Sequence, residues 1–149
     1  MNSIIEKQNE IIKTFSKLEK WEDRYQKIID LGKSLEAMPL ELKTEKNIVK
    51  GCQSQVWLFA QLKENGRVGF YGDSDAVIVK GLVGLLLYVY SDATPEEILK
   101  TPPDFLKTLG FEGNLSPSRA NGLHSMLKQI KLYATAFDYV IKSKRENNS

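Results

Sequence analysis

The sequence is poor in the residues that build redox pairs and metal sites: it holds one cysteine, Cys52, and one histidine, His124. A single cysteine excludes an internal disulfide, a CxxC redox pair and a cysteine-rich zinc or iron–sulfur site. A single histidine excludes a multi-histidine metal centre. A free thiol suits a reducing cytoplasm, which is the expected compartment. Long apolar runs are also missing. The longest, Ala76 to Tyr90, is interrupted by Lys80, Gly81 and Gly84. It falls short of the roughly 20 apolar residues that a membrane-spanning helix needs, so it reads as a buried helix and no membrane association is expected. Charges break up Met1–Lys7 before an apolar signal-peptide core can form. Nor does either sign of charge dominate: 21 basic residues meet 19 acidic ones, for a net charge of +2. No basic cluster interleaves with aromatics, so no nucleic-acid partner is expected. The one basic cluster, Lys142-Ser143-Lys144-Arg145, reads as a solvated helix end.

What is present is a chain of 149 residues, 42% apolar, which suits one domain with one core over residues 1–149. Ser3 and Glu6 have the spacing of a capping box, and Ile4, Ile11 and Phe15 follow at helical spacing. A second helix starts near Trp21, with Tyr25, Ile28, Gly32 and Leu35 on one face. The period then changes. Val56, Leu58, Ala60 and Leu62 alternate with Trp57, Phe59, Gln61 and Lys63, as in a strand. Asn65-Gly66 predicts a type I′ hairpin turn, and Arg67–Tyr71 the return strand. Asn47–Lys50 is a candidate third strand. Gly72-Asp73-Ser74-Asp75 offers short polar caps for the Ala76–Tyr90 helix. Thr94-Pro95-Glu96-Glu97 marks another helix start, Asp104–Leu109 a short helix stopped by Gly110, and Ser116-Pro117 the last helix. Leu123, Leu127, Ile130, Ala134, Phe137 and Ile141 form its apolar stripe, expected to face the core. The fold class expected is α+β: a small antiparallel sheet of about three strands covered by helices.

Cys52 sits in Lys50-Gly51-Cys52-Gln53-Ser54-Gln55, where a short strand gives way to the long one. Two readings stand open. A lone cysteine is often a small buried hydrophobe. This one lies in a Gly- and amide-rich loop outside every apolar stripe, where loops commonly carry function. A cysteine hydrolase would need a base and an orienting group beside the thiol. His124, on the last helix, is the one imidazole for that role, against the plainer reading of a surface residue. An iron-binding scaffold would want more ligands than one thiol. A peroxide sensor would often use a resolving cysteine, which is absent. Sulfur transfer asks least: a thiolate takes the outer sulfur of a donor persulfide, in a step analogous to thiol–disulfide exchange. A passive interaction module is the remaining class.

Four blocks of sequence carry a resemblance. They are Trp21-Glu22-Asp23-Arg24-Tyr25-Gln26-Lys27-Ile28-Ile29-Asp30-Leu31-Gly32-Lys33, then Gly51-Cys52-Gln53-Ser54-Gln55-Val56-Trp57. Gly72-Asp73-Ser74-Asp75-Ala76 with Ile78-Val79-Lys80-Gly81-Leu82 is the third, and Leu115-Ser116-Pro117-Ser118-Arg119 with Gly122-Leu123 the fourth. In this order the chain resembles the SufE/CsdE family of sulfur acceptors, over residues of about 18 to 133. The resemblance implies a fold shared with IscU-type scaffolds. It implies that Cys52 accepts sulfur from a SufS-type cysteine desulfurase, stimulating it, and passes the sulfur to a SufB-containing assembly complex. The chain itself would need no cofactor, since the desulfurase carries the pyridoxal phosphate. Arg119, Asp73 and Asp75 become candidates near the sulfur, for stabilising it or for docking. Gln53, Ser54 and Gln55 are expected to hydrogen-bond the loop or a partner. Each keeps a plainer alternative: Arg119 as a solvated side chain, Asp73 and Asp75 as helix caps, Trp57 as sheet core. Dimerisation stays open, as does the choice between a SufS-like and a CsdA-like desulfurase. Residues 143–149 are expected as a flexible tail.

Overall fold

The computed structural model describes residues 3–147. Ser3 caps helix α1 (Ile4–Ser16): its hydroxyl accepts from the Glu6 N–H at 3.1 Å, and the Glu6 carboxylate accepts from the Ser3 N–H at 3.3 Å. This is the reciprocal pair expected from the spacing. Helix α2 (Trp21–Lys33) packs against α3 (Val77–Tyr90), the helix at the centre of the molecule. Helix α3 is apolar nearly all round, as a helix surrounded by neighbours must be. Leu82, Leu85 and Leu86 are at most 1% exposed, and each contributes about 1.5–3 kcal/mol by leaving water. The α2–α3 crossing is unusually close. A Cβ on Gly81 would lie 2.3 Å from the Ile28 carbonyl oxygen, so the two backbones touch. That contact explains a glycine in mid-helix, where it costs about 1 kcal/mol in helix propensity.

Strands β1 (Val56–Leu62) and β2 (Val68–Ser74) pair antiparallel, with Val56 opposite Ser74 and Leu62 opposite Val68. Val56, Leu58 and Ala60 are buried, while Trp57 and Phe59 are only half-buried. The period of two read from the sequence is therefore the boundary between core and outer face. The outer elements follow their signals. Thr94 caps α4 (Pro95–Lys100), accepting from the Glu97 N–H at 3.2 Å, and α5 (Asp104–Thr108) ends before Gly110 at φ +73°. Helix α6 (Phe111–Asn114) follows, and then α7 (Pro117–Asn147), capped by the Ser116 hydroxyl.

Three expectations need correction. The sheet has two strands, not three. Asn47 is taken into a 3-10 turn (Glu45–Asn47), its amide donating to the Leu42 carbonyl at 2.8 Å. The chain then meets β1 at one bridge, Ile48 with Trp57, before Gly51 turns it away. The hairpin is not type I′ at Asn65-Gly66, because Gly66 has a positive φ and Asn65 does not. The turn is closed by Gly66 N–H to Lys63 O at 3.0 Å and by the Asn65 side chain accepting from the Arg67 N–H at 3.0 Å. A three-residue loop ending in left-handed glycine gives the strands the same right-handed twist. Asp73 and Asp75 do not cap α3; Ser74 stands nearest that role, its hydroxyl accepting from the Ala76 N–H at 3.2 Å.

The α7 stripe divides. Leu123, Ile130 and Ala134 are buried, and Leu127, Phe137 and Ile141 are half-buried. Past Ala134 the helix outruns the core, and Tyr139 is 73% exposed. Residues 143–147 of the expected tail continue α7, and Asn148 and Ser149 lie outside the described residues.

Candidate functional site

The cysteine loop is clamped at both ends. At its start Gly51 has φ +93°, a left-handed conformation that favours glycine, and a Cβ there would meet the Ser125 hydroxyl at 2.6 Å. At its end Gln55 is held by the close of β2. The Gln55 N–H donates to Asp75 Oδ1 at 3.1 Å, and the Ser74 hydroxyl donates to the Gln55 carbonyl at 2.8 Å. The Asp75 N–H donates to that same carbonyl at 3.3 Å. Between these clamps Cys52, Gln53 and Ser54 are free of regular structure.

The Cys52 sulfur is half-buried, and its thiol donates to the Gly122 carbonyl on α7 at 3.7 Å. It opens on a cavity of about 500 Å³ formed by the loop, the first turn of α3 (Ala76–Val79), Ile29 on α2, and Ser118, Arg119 and Gly122 on α7. Two helix N-termini thus line the cavity on which the sulfur opens. The first turn of α3 has no side-chain cap on its N–H groups. Helix N-termini carry partial positive charge and favour a thiolate nearby. Arg119 adds a full charge to the wall and has no ion pair among the described residues. Burial acts the other way and pushes the Cys52 thiol above its ordinary pKa. Burial thus favours the protonated thiol, which donates to the Gly122 carbonyl. The charged walls matter when an anion forms.

Of the residues picked from sequence, Gln53, Ser54 and Arg119 share the cavity with Cys52. Asp75 does not line it but holds the loop through Gln55. Asp73 faces elsewhere, ion-paired to Lys43 and, at 3.3 Å, to Lys80. Burial raises the Asp73 carboxyl, but the Lys43 and Ser74 hydrogen bonds and the two lysine charges outweigh it, and the net is a lowered pKa. Trp57 lies half-buried on the outer sheet face, with Lys43 Nζ 5.5 Å from its ring centroid. His124 is exposed, 3.7 Å from Glu112, and is not among the cavity residues, so no imidazole stands ready to act as base. Ser74, expected only as a helix cap, also holds the loop through the Gln55 carbonyl, and the sequence pattern does not place Gly122 or Ser125 at the cysteine loop. Gly122 lies 70 residues from Cys52, and no local pattern links the two. Among the described residues no group of three or more His, Cys, Asp or Glu could hold a metal ion, and no helix is long and apolar enough to cross a membrane.

Comparison with known proteins shows what the chain is similar to. A family model described as "SufE: Fe-S metabolism associated domain" matches residues 9–134. An uncharacterized SufE-like protein from Synechocystis sp. is 42% identical over 127 residues, covering 85% of this chain and 79% of the relative. The solution structure of a hypothetical protein from Thermus thermophilus superposes with a TM-score of 0.73 at 26% identity, covering 88% of this chain and 95% of that one.

Proposed function

The chain belongs to the SufE family, and from that membership we propose that Cys52 is a sulfur acceptor loaded by a cysteine desulfurase. The family belongs to iron–sulfur metabolism and sulfur transfer, and interaction with a cysteine desulfurase comes with it. In the proposed step the Cys52 thiolate attacks the outer sulfur of a persulfide on the desulfurase. The new bond joins Cys52 Sγ to that sulfur, the donor S–S bond breaks, and the donor cysteine leaves as a thiolate. Cys52 becomes a persulfide, and removal of sulfur from the donor stimulates its turnover. A SufB-containing assembly complex would then receive the sulfur in a second exchange of the same kind.

The observation that carries this reading is the composition of the cavity around Cys52. Two helix N-termini and Arg119 line the cavity that holds one thiol, and no histidine is among its lining residues. Such walls stabilise an anionic sulfur without activating it for hydrolysis. The proton taken from Cys52 is therefore removed by the partner or by water, and the pyridoxal phosphate chemistry belongs to the partner. On this reading residues 1–149 act as a single SufE-like domain in a reducing cytoplasm, as an accessory to an enzyme and not an enzyme in the strict sense. Intact-mass measurement after incubation with a cysteine desulfurase and L-cysteine tests it. The expected result is a gain of one sulfur atom that vanishes in Cys52→Ser, together with faster desulfurase turnover. No added sulfur on the wild-type chain would reject the reading.

A further inference from the structure

The sequence holds two Asn-Gly pairs, Asn65-Gly66 and Asn121-Gly122. Such a pair can react with itself. The glycine nitrogen loses its proton and attacks the carbonyl carbon of the asparagine side chain, ammonia leaves, and a five-membered cyclic imide forms. Water then opens the imide at either carbonyl, giving aspartate or isoaspartate. Glycine is the favourable neighbour because no Cβ hinders its nitrogen. By sequence the two pairs are equivalent. Exposure does not separate them either, since both asparagines are exposed.

The backbone does separate them. Asn65 lies in the hairpin loop between β1 and β2. Gly66 has φ +80°, and a Cβ there would meet nothing within 4 Å, so ring closure has open space. Two hydrogen bonds restrain the pair: the Gly66 N–H donates to the Lys63 carbonyl at 3.0 Å, and the Arg67 N–H donates to Asn65 Oδ1 at 3.0 Å. The first must open before the nitrogen attacks, but it is one bond in an exposed loop. The second can stay, and it polarises the carbonyl that is attacked. Asn121 and Gly122 instead lie inside the first two turns of α7. There the Gly122 N–H is committed to the carbonyl four residues back, that of Ser118. Closing the imide would take Asn121 out of helical geometry. It would also dislodge Gly122, which is buried and accepts from the Cys52 thiol.

We propose that Asn65 is a site of spontaneous conversion to aspartate and isoaspartate through a cyclic imide with Gly66, and that α7 withholds the same reaction from Asn121 beside the Cys52 cavity. Water is the sole co-reactant and ammonia the product that leaves. Incubation of the folded full chain at mildly alkaline pH, followed by tryptic peptide mapping, tests it. Cleavage after Lys63, Arg67, Arg119 and Lys128 puts the two pairs on separate peptides, 64–67 and 120–128. Peptide 64–67 should gain the mass of an amide-to-carboxyl change and split into two products of equal mass, one with aspartate and one with isoaspartate. It should convert at least about tenfold faster than 120–128, the ratio that about 1.4 kcal/mol of extra opening cost gives. In guanidinium chloride, where α7 is unfolded, the two peptides should convert at similar rates. Asn65→Gln, whose longer side chain cannot close a five-membered imide, should lose the conversion of 64–67. Similar rates in the folded chain, or conversion of 64–67 only after unfolding, would overturn the proposal. A rate ratio that persists in guanidinium chloride would overturn it too, because α7 would then not set it. An aspartate product without isoaspartate would exclude the imide.

Discussion

The α2–α3 seam and the Cys52 loop meet at the first turn of α3, yet they are held by opposite means. At the seam, backbone touches backbone: the Gly81 position leaves 2.3 Å between a would-be Cβ and the Ile28 oxygen. At the loop, the chain is fastened by side-chain hydrogen bonds at Gln55 and a glycine turn at Gly51. Close packing has no slack, because a displaced backbone loses every contact at once. A few partly exposed hydrogen bonds, each worth about 0.5–1.5 kcal/mol net, can open without unfolding the domain. The contrast suits a carrier. A rigid base keeps the cavity walls in place while the sulfur-bearing segment can be presented to a partner.

The contrast can be broken most directly by separating function from stability. Cys52→Ser should abolish sulfur uptake completely yet leave the urea midpoint essentially unchanged, since one oxygen replaces one half-buried sulfur. Residual loading by intact mass, or a collapse of the fold, would contradict the division of labour. Gly81→Ala should do the reverse. One methyl forced against the Ile28 carbonyl should cost about 3 kcal/mol, the upper end of the overpacking range. Urea denaturation reads it, and a change within experimental error would mean that the seam has slack after all.

Smaller effects sharpen the picture at the loop. Asp75→Ala removes the acceptor for the Gln55 N–H and should speed alkylation of Cys52 by iodoacetamide about three- to tenfold, the equivalent of one hydrogen bond. An unchanged alkylation rate would show that the bonds from the Ser74 hydroxyl and the Asp75 N–H to the Gln55 carbonyl hold the loop without it. The smallest effect is on pH dependence. Burial raises the Cys52 pKa in the folded state, so the folded chain binds the thiol proton more tightly than the unfolded one. That contribution is complete below the unfolded thiol pKa, near 9.0, and is lost as pH rises through the higher folded value. Wild type should therefore lose stability relative to Cys52→Ser only on the alkaline side. Urea midpoints that run parallel from neutral pH through this range would remove the case for a burial-raised thiol.

Much of the seam was legible in the sequence. Trp21, Ile28 and Gly32 share a helical face, and the Ala76–Tyr90 run is too apolar to be anything but buried. These are local periodicities, and periodicity is set by backbone geometry alone. The site was legible only in its centre. Cys52 stood out by being unique, and Arg119 through a motif shared with a family. The third strand failed because Asn47 found a nearer partner in the Leu42 carbonyl, and competition between turn and strand is not visible in alternation. Asp73 and Asp75 were misplaced because a short polar residue before a helix reads as a cap. Here the sheet register puts Asp75 beside Gln55 and Asp73 beside Lys43 and Lys80 instead.

By itself the sequence determined that this chain has one thiol, no second cysteine to pair with it, and an α+β succession of elements around a buried helix. Those follow from composition and from patterns within a few residues. Only the tertiary structure decided what surrounds the thiol. It brings Gly122, 70 residues away, to the sulfur, and sets two helix N-termini and Arg119 around one cavity. The reason is physical: the environment of a side chain is made by packing between distant segments, and packing is a property of the folded whole.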